Sequence, residues 1–408
     1  MFITIAALAQ SGSNSPYTRY GFGQLSDQHF GNSKAMGGIS YGLRNGLQIN
    51  ASNPASYSAV DSLTFIFDAG LSLQNTNIKE AGISTNAKNS TLDYIAMQFR
   101  LWKRMGLSAG FLPFSIVGYN MSSTEVLDGT NNTTTSSTYA GDGGLQQVYI
   151  GLGYKVLNNL SVGFNFSYLY GDIAHSATTV FSNSNAYSSV RSDQISISDY
   201  KLDFGVQYSH RFKEKHLVNL GAVYSLGHDL HGTGYKFKET YLSGSTYPQT
   251  QTVDTIKNAF SLPTTIGVGA TYVYDNRLTV GLDYTLQKWA DVDFFNESGT
   301  FCDRSKVSVG AEFQPNPYSR NYLKRIRYRA GAYYSEPYTK INQSEGAREY
   351  GVSFGFGLPI FQSKSILNIS GQYIKVSPKT KGMLEENYLR VNIGLTFNER
   401  WFVKWKVD

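Results

Sequence analysis

Two histidines three residues apart, His228 and His231, with Asp229 between them, are the one stretch of the 408-residue chain whose types suggest a metal site or a hydrolytic dyad. At the end of a strand, side chains at i and i+3 do not share a face, and no third ligand lies nearby in sequence. The single cysteine, Cys302, has no partner for an internal bridge and falls in a loop, where an inert thiol is expected. The sequence has no Gly-x-Ser-x-Gly, no P-loop and no Cys-x-x-Cys, so no catalytic residue, metal or cofactor is expected. Chemistry is left to a few charges set in otherwise uncharged stretches: Lys201, Asp203, Asp283, Glu312, Arg327, Arg329 and Arg390. A guanidinium fork at Arg329 or Arg390 matches a ligand carboxylate. The plainer reading has these charges anchor an internal segment or pair with one another, with Asp283, Glu312 and Arg329 meeting across neighbouring strands.

The elements that carry those charges have period 2. Leu160-Ser161-Val162-Gly163-Phe164-Asn165-Phe166 alternates apolar with small or polar residues, and Leu278 to Gln287 and Leu389 to Phe397 repeat the pattern. Fourteen such segments are expected, near 63–74, 91–102, 105–118, 145–155, 160–173, 197–210, 217–227, 264–274, 278–289, 304–314, 326–335, 348–358, 366–375 and 387–397. Each has about the ten residues a tilted membrane strand needs. Composition agrees. Aromatics make up 14% of the chain, there are 40 glycines, and only 16% is charged against roughly a quarter in soluble domains. The mean hydropathy of −0.29 and the lack of an apolar run of about 18 residues exclude a helical membrane protein. Tight connections (Lys103-Arg104, Leu157 to Asn159, Lys213 to His216, Asp275 to Arg277, Gln362 to Ser365) alternate with connections that include the long Ser/Thr/Asn-rich stretches 119–144, 174–196 and 228–263. This asymmetry is that of an outer-membrane barrel with short periplasmic turns, long outer loops and both termini in the periplasm.

The expected organisation is a signal-peptide remnant over 1–9, ending in Ala7-Leu8-Ala9, and a mature start at Gln10. A periplasmic or lumenal plug over 10–62, a barrel over 63–398 and a periplasmic tail over 399–408 follow. The fold class is therefore all-β, a 14-stranded antiparallel transmembrane barrel with an N-terminal plug, or hatch. Net charge is +6, with much of the excess in the tight turns. That suits anionic head groups or a protein partner, and no aromatic-basic nucleic-acid module is visible.

Several stretches resemble the FadL family, outer-membrane barrels that take up long-chain fatty acids and other hydrophobic compounds. Met36-Gly37-Gly38 followed by Asn53-Pro54-Ala55 resembles its hatch signature, and Leu262-Pro263-Thr264-Thr265 resembles its entry into a mid-barrel strand. Tyr20-Gly21-Phe22-Gly23 is more similar to a Bacteroidetes branch that also contains secretion and assembly subunits. The resemblance implies that Gly37, Gly38, Asn53, Pro54 and Ala55 form the hatch, although Asn53-Pro54-Ala55 also reads as an ordinary turn. It further implies that an interruption in the third strand, at Gly110 and Pro113, opens the wall toward lipid, since proline cannot complete a ladder. A proline outside the hydrogen-bonded part of the strand is the plainer alternative. The expected function is passive uptake of fatty-acid-like molecules with lateral exit. The alternative is a non-transporting barrel subunit of an outer-membrane assembly or secretion complex. Expected partners are outer-membrane lipid, a hydrophobic ligand and complex subunits.

Overall fold

The computed structural model describes residues 12–400 apart from 81–82, 128, 130–132, 244, 246, 342, 361–362 and 380–382. The signal segment, the expected start at Gln10 and residues 401–408 lie outside the described residues. From Thr64 onward the chain makes fourteen antiparallel strands. They are β1 Thr64–Glu80, β2 Ile83–Trp102, β3 in two pieces (Met105–Pro113 and Ser115–Val126), β4 Thr134–Lys155, β5 Leu160–Phe181, β6 Tyr187–Phe212 and β7 His216–Ser225. Then come β8 Thr265–Tyr274, β9 Leu278–Gln287, β10 Arg304–Phe313, β11 Arg327–Ser335, β12 Ala347–Pro359, β13 Ile366–Pro378 and β14 Glu385–Arg400. The first and last strands pair from Thr64↔Arg400 to Lys79↔Glu385, which closes the cylinder.

Alternation sets the two faces. In β14, Leu389, Val391, Leu395 and Phe397 point outward and are exposed, while Tyr388, Asn392, Thr396 and Asn398 point inward and are buried. The same inversion runs round the wall, with Phe164, Phe166, Phe204 and Leu282 outside and Asn165, Asn219, Asp283 and Gln372 inside. Apolar outside and polar inside is the arrangement of an outer-membrane barrel, because lipid solvates the outer face and the inner polar groups find partners across the bore.

The strands are longer at one end than the sequence pattern suggests. The expected loops 119–144 and 174–196 are largely strand, as extensions of β3, β4, β5 and β6. Beyond the lipid the outer face no longer has to be apolar, so the hydropathy alternation stops while Ser- and Thr-rich residues continue the ladder. Within 228–263, Gly232–Leu242 and Thr250–Lys257 form a hairpin that pairs with the outer half of β6, from Gly232↔Ile197 to Leu242↔Tyr187.

Residues 12–63 contain little regular structure: turns of 3-10 helix at Pro16–Arg19 and Pro54–Ala59, one helical turn at Gly31–Lys34 and a two-residue strand, Gln24–Leu25. With no sheet or long helix of its own, this segment satisfies many of its polar groups against the wall.

Candidate functional site in the barrel bore

The segment is held by named contacts. The Asn53 amide donates to the carbonyls of Tyr41 (2.8 Å) and Val206 (3.3 Å), and its Oδ1 accepts from the Ala55 N–H. Pro54 and Ala55 follow as the first residues of the 3-10 turn and lie against Gly163, where a Cβ would collide with their backbone. Gly37 and Gly38 both have positive φ, +67° and +86°. A Cβ on Gly37 would sit 2.6 Å from the Ala332 carbonyl, so this backbone touches the wall directly, and its N–H donates to Ser353 Oγ at 2.9 Å. Asp283 does not pair with arginine. Its Oδ2 accepts from the backbone N–H groups of Ser40 (2.6 Å) and Tyr41 (2.9 Å), which corrects the expected ladder of Asp283, Glu312 and Arg329. A carboxylate meets two adjacent amides here because the turn at 40–41 presents both toward β9.

Glu312 and Arg329 do meet, directly opposite each other in the β10–β11 register, with Nε–Oε2 at 2.6 Å. Arg327 approaches the same carboxylate at 3.4 Å, and Arg329 also donates to Asn368 at 2.6 Å. Lys201 and Asp203 form an ion pair with each other. Arg390 donates to Gln74 and lies 3.4 Å from Asp27 of the segment, whose other oxygen is 3.4 Å from Lys306. Both arginines offered as ligand carboxylate sites are thus already engaged by the protein. Burial works to raise the Asp27 carboxyl, but Lys306 and Arg390 outweigh it and hold the group well below the usual carboxylate range. Burial, reinforced by Lys306, pushes the neighbouring His29 imidazole down to about 3.

The wall is interrupted once among the described residues. The β2–β3 ladder runs from Trp102↔Met105 only as far as Ile95↔Phe111, and none joins Ile83–Tyr94 to Ser115–Val126. Pro113 lies at the break: two residues past the last β2 pairing at Phe111, it pairs only with β4, opposite Gln146, and its carbonyl accepts from Gln28 at 3.0 Å. Gly110 lies inside the intact ladder opposite Ala96. The strand turns inward at Phe114, and Ser115 and Ile116 pair with Leu25 and Gln24 of the segment. Gly12 touches Ile116 and Thr91 from within the break, and Asn14 hydrogen-bonds Asn89. Behind it lies a space of about 50 Å³ lined by Lys34, Asp93, Asp27 and Arg390 among others, with Lys34 and Asp93 paired at 2.7 Å. A larger chamber of about 160 Å³ has a mostly apolar lining, with Leu112, Phe114, Val223 and Leu262, and carries Lys201, Asp203 and Lys306 among its polar groups.

A family model described as BamG matches residues 1–408. The chain belongs to the BamG family. No curated protein sequence matches it significantly. Solved structures of similar fold include the Ralstonia pickettii toluene transporter TbuX, 16% identical with a TM-score of 0.60, covering 92% of this chain and 99% of that one. The Pseudomonas putida toluene transporter TodX is 17% identical at 0.60, covering 93% and 100%. A Pseudomonas aeruginosa FadL homologue is 13% identical at 0.60, covering 92% and 99%. At these identities the likeness is one of fold.

In this BamG-family barrel the long-strand end is roofed by aromatics. Phe22 is fully buried among Trp289 (6.0 Å), Phe294 (5.3 Å), Phe260 and Phe301, and Tyr338 hydroxyl donates to the Gly23 carbonyl. Cys302 lies at the edge of this roof with its thiol pushed up to about 11 by burial. The two histidines do converge, against expectation. His231 Nδ1 lies 3.0 Å and His228 Nε2 3.8 Å from Asp199 Oδ2, because 228–230 pairs with 260–262 before the chain turns back along β6. No group of three or more His, Cys, Asp or Glu suited to a metal occurs among the described residues.

The glycines beside the break went unread in the sequence. Gly143, Gly144 and Gly171 have φ of +105°, +142° and +148°, and a Cβ on Gly143 or Gly144 would strike the backbone of β5 or of Ser115. Glycine pairs inside a strand are a known mark of close backbone approach, and Gly143-Gly144 was that signal. Asp93 was missed too: the register shift opposite Gly70–Leu71 turns Asp93 and Tyr94 inward together.

Proposed function

We propose that this chain is a non-transporting barrel subunit of an outer-membrane complex, with its termini in the periplasm and residues 12–62 serving as a fixed plug. One observation carries the reading. The space behind the wall break, about 50 Å³, is lined by charges that pair with one another, Lys34 with Asp93 and Arg390 with Asp27. Sites for apolar ligands are predominantly apolar, with a few placed polar groups. An alkyl chain moving past Asp27, Lys34, Asp93 and Arg390 would strip those charges of partners, at several kcal/mol per buried ion.

A second reading is supported by a different observation. The interrupted third strand is the place for lateral exit of a hydrophobic molecule, and the fold is shared with the toluene transporters TbuX and TodX. Equilibrium binding of palmitate and of toluene to the purified protein in detergent separates the two. The subunit reading expects no saturable uptake above a protein-free micelle control. Saturable, stoichiometric binding of either ligand would sink it.

A further inference from the structure

At the long-strand end, above the aromatic roof, six separate stretches of chain build a cup of about 360 Å³. They are the segment at Arg19–Gly21, the outer part of β3 at Tyr119, β5 at His175, β6 at Arg191 and Asp193, the hairpin at Lys236, and the β9–β10 connection at Phe294–Glu297. Its volume falls within the roughly 300–1,000 Å³ of small-molecule sites. The floor exists because Gly21, at φ +60°, lets the segment pass under Phe301, where any Cβ would collide.

The lining is chemically mixed in a particular way. Lys236 is neutralised by Glu297 at 3.8 Å and lies over the Phe295 ring at 4.6 Å. Arg19 lies over the Tyr139 ring at 4.0 Å, and neither Arg19 nor the exposed Arg191 pairs with a carboxylate among the described residues. Two planar forks are therefore free to take an anionic group bidentately. Asp193 and Glu297 supply acceptors for hydroxyl groups, while His175, hydrogen-bonded to Tyr119 at 3.0 Å, braces the wall of the cup. Phe294 offers an apolar surface against which the C–H face of a sugar ring can pack. A lone inorganic anion would leave the carboxylates and the aromatic surface unused, and an alkyl chain would leave the charges unused. We infer that this cup binds an anionic saccharide, one that carries a carboxylate or phosphate on a polyhydroxy ring.

The source of that sugar is either a free oligosaccharide or the acidic core of a lipopolysaccharide, and the test separates them. Calorimetric titration of the full-length protein in detergent is run with digalacturonate, with maltose as the neutral match, and with an acidic-core lipopolysaccharide. Digalacturonate binding with at least about tenfold discrimination over maltose is expected, and Arg191→Gln is expected to weaken it about tenfold or more. Arg191 is exposed, so this variant is expected to fold normally, and Arg19→Gln adds a second, independent loss. Saturable binding of lipopolysaccharide alone, lost in the same variants, upholds the inference and puts the sugar in the lipid. Absence of binding by both anionic probes, equal binding of maltose, or binding untouched by both substitutions overturns it.

Discussion

Single residues fasten the N-terminal segment, and their chemistry makes the fastening testable. Asp283→Ala removes one carboxylate and leaves the N–H groups of Ser40 and Tyr41 without it. Each unsatisfied buried amide costs about 1–3 kcal/mol. The substitution is expected to expose residues 12–62 to protease while the barrel keeps its heat-resistant, folded mobility on a detergent gel. Asp27 and His29 give the same latch a pH dependence. His29 is neutral in the fold with its value near 3 against 6.5 when released, so its contribution is full above about pH 6.5 and is lost as pH falls from there toward 3. Asp27 lies below its free value of 3.8, so its contribution is full above that value and is lost as pH falls beneath it. Both act in one direction. Amide protection factors of the segment, taken relative to the intrinsic exchange rate at each pH, should fall on acidification, starting near pH 6.5, and Asp27→Asn should lower them at neutral pH. Protection unchanged between pH 7 and 4 would contradict the latch. These contacts were only partly legible in the sequence. The inward charges could be named from the alternation, but Asp283 and Arg390 bind an irregular segment that has no period to read.

The strands were legible because lipid on one side and a polar bore on the other impose alternation residue by residue, as in Leu278 to Gln287. All fourteen could be counted that way. Their outer extensions could not, since β4 and β5 continue past the lipid where both faces meet water. At this scale the telling feature is the bend in β3. The sequence pointed to Pro113, which lies at the break with no β2 partner for its missing N–H to lose, while the stacked glycines of β4 and β5 let Ser115 come in close beside it. Pro113→Ala is therefore expected to shift the unfolding midpoint little. Gly144→Val forces a side chain into the Ser115 carbonyl from a left-handed backbone and is expected to lower stability by more than 1–3 kcal/mol. Denaturant titration of both variants in the same detergent checks the ranking, and the reverse order would return the bend to the proline.

As a whole the molecule is a closed cylinder whose bore holds a hydrogen-bonded segment, with an aromatic roof at one end and a charged space behind the wall interruption at β3. That combination suits a barrel whose task lies in what it holds at its surface rather than in what passes through it. The most direct test is gentle detergent extraction from native membranes followed by mass spectrometry of bound lipids and bound proteins in the same sample. The account predicts a stoichiometric protein partner and no enriched fatty acid or hydrocarbon. A barrel recovered alone, with a hydrophobic ligand bound one to one, would contradict it.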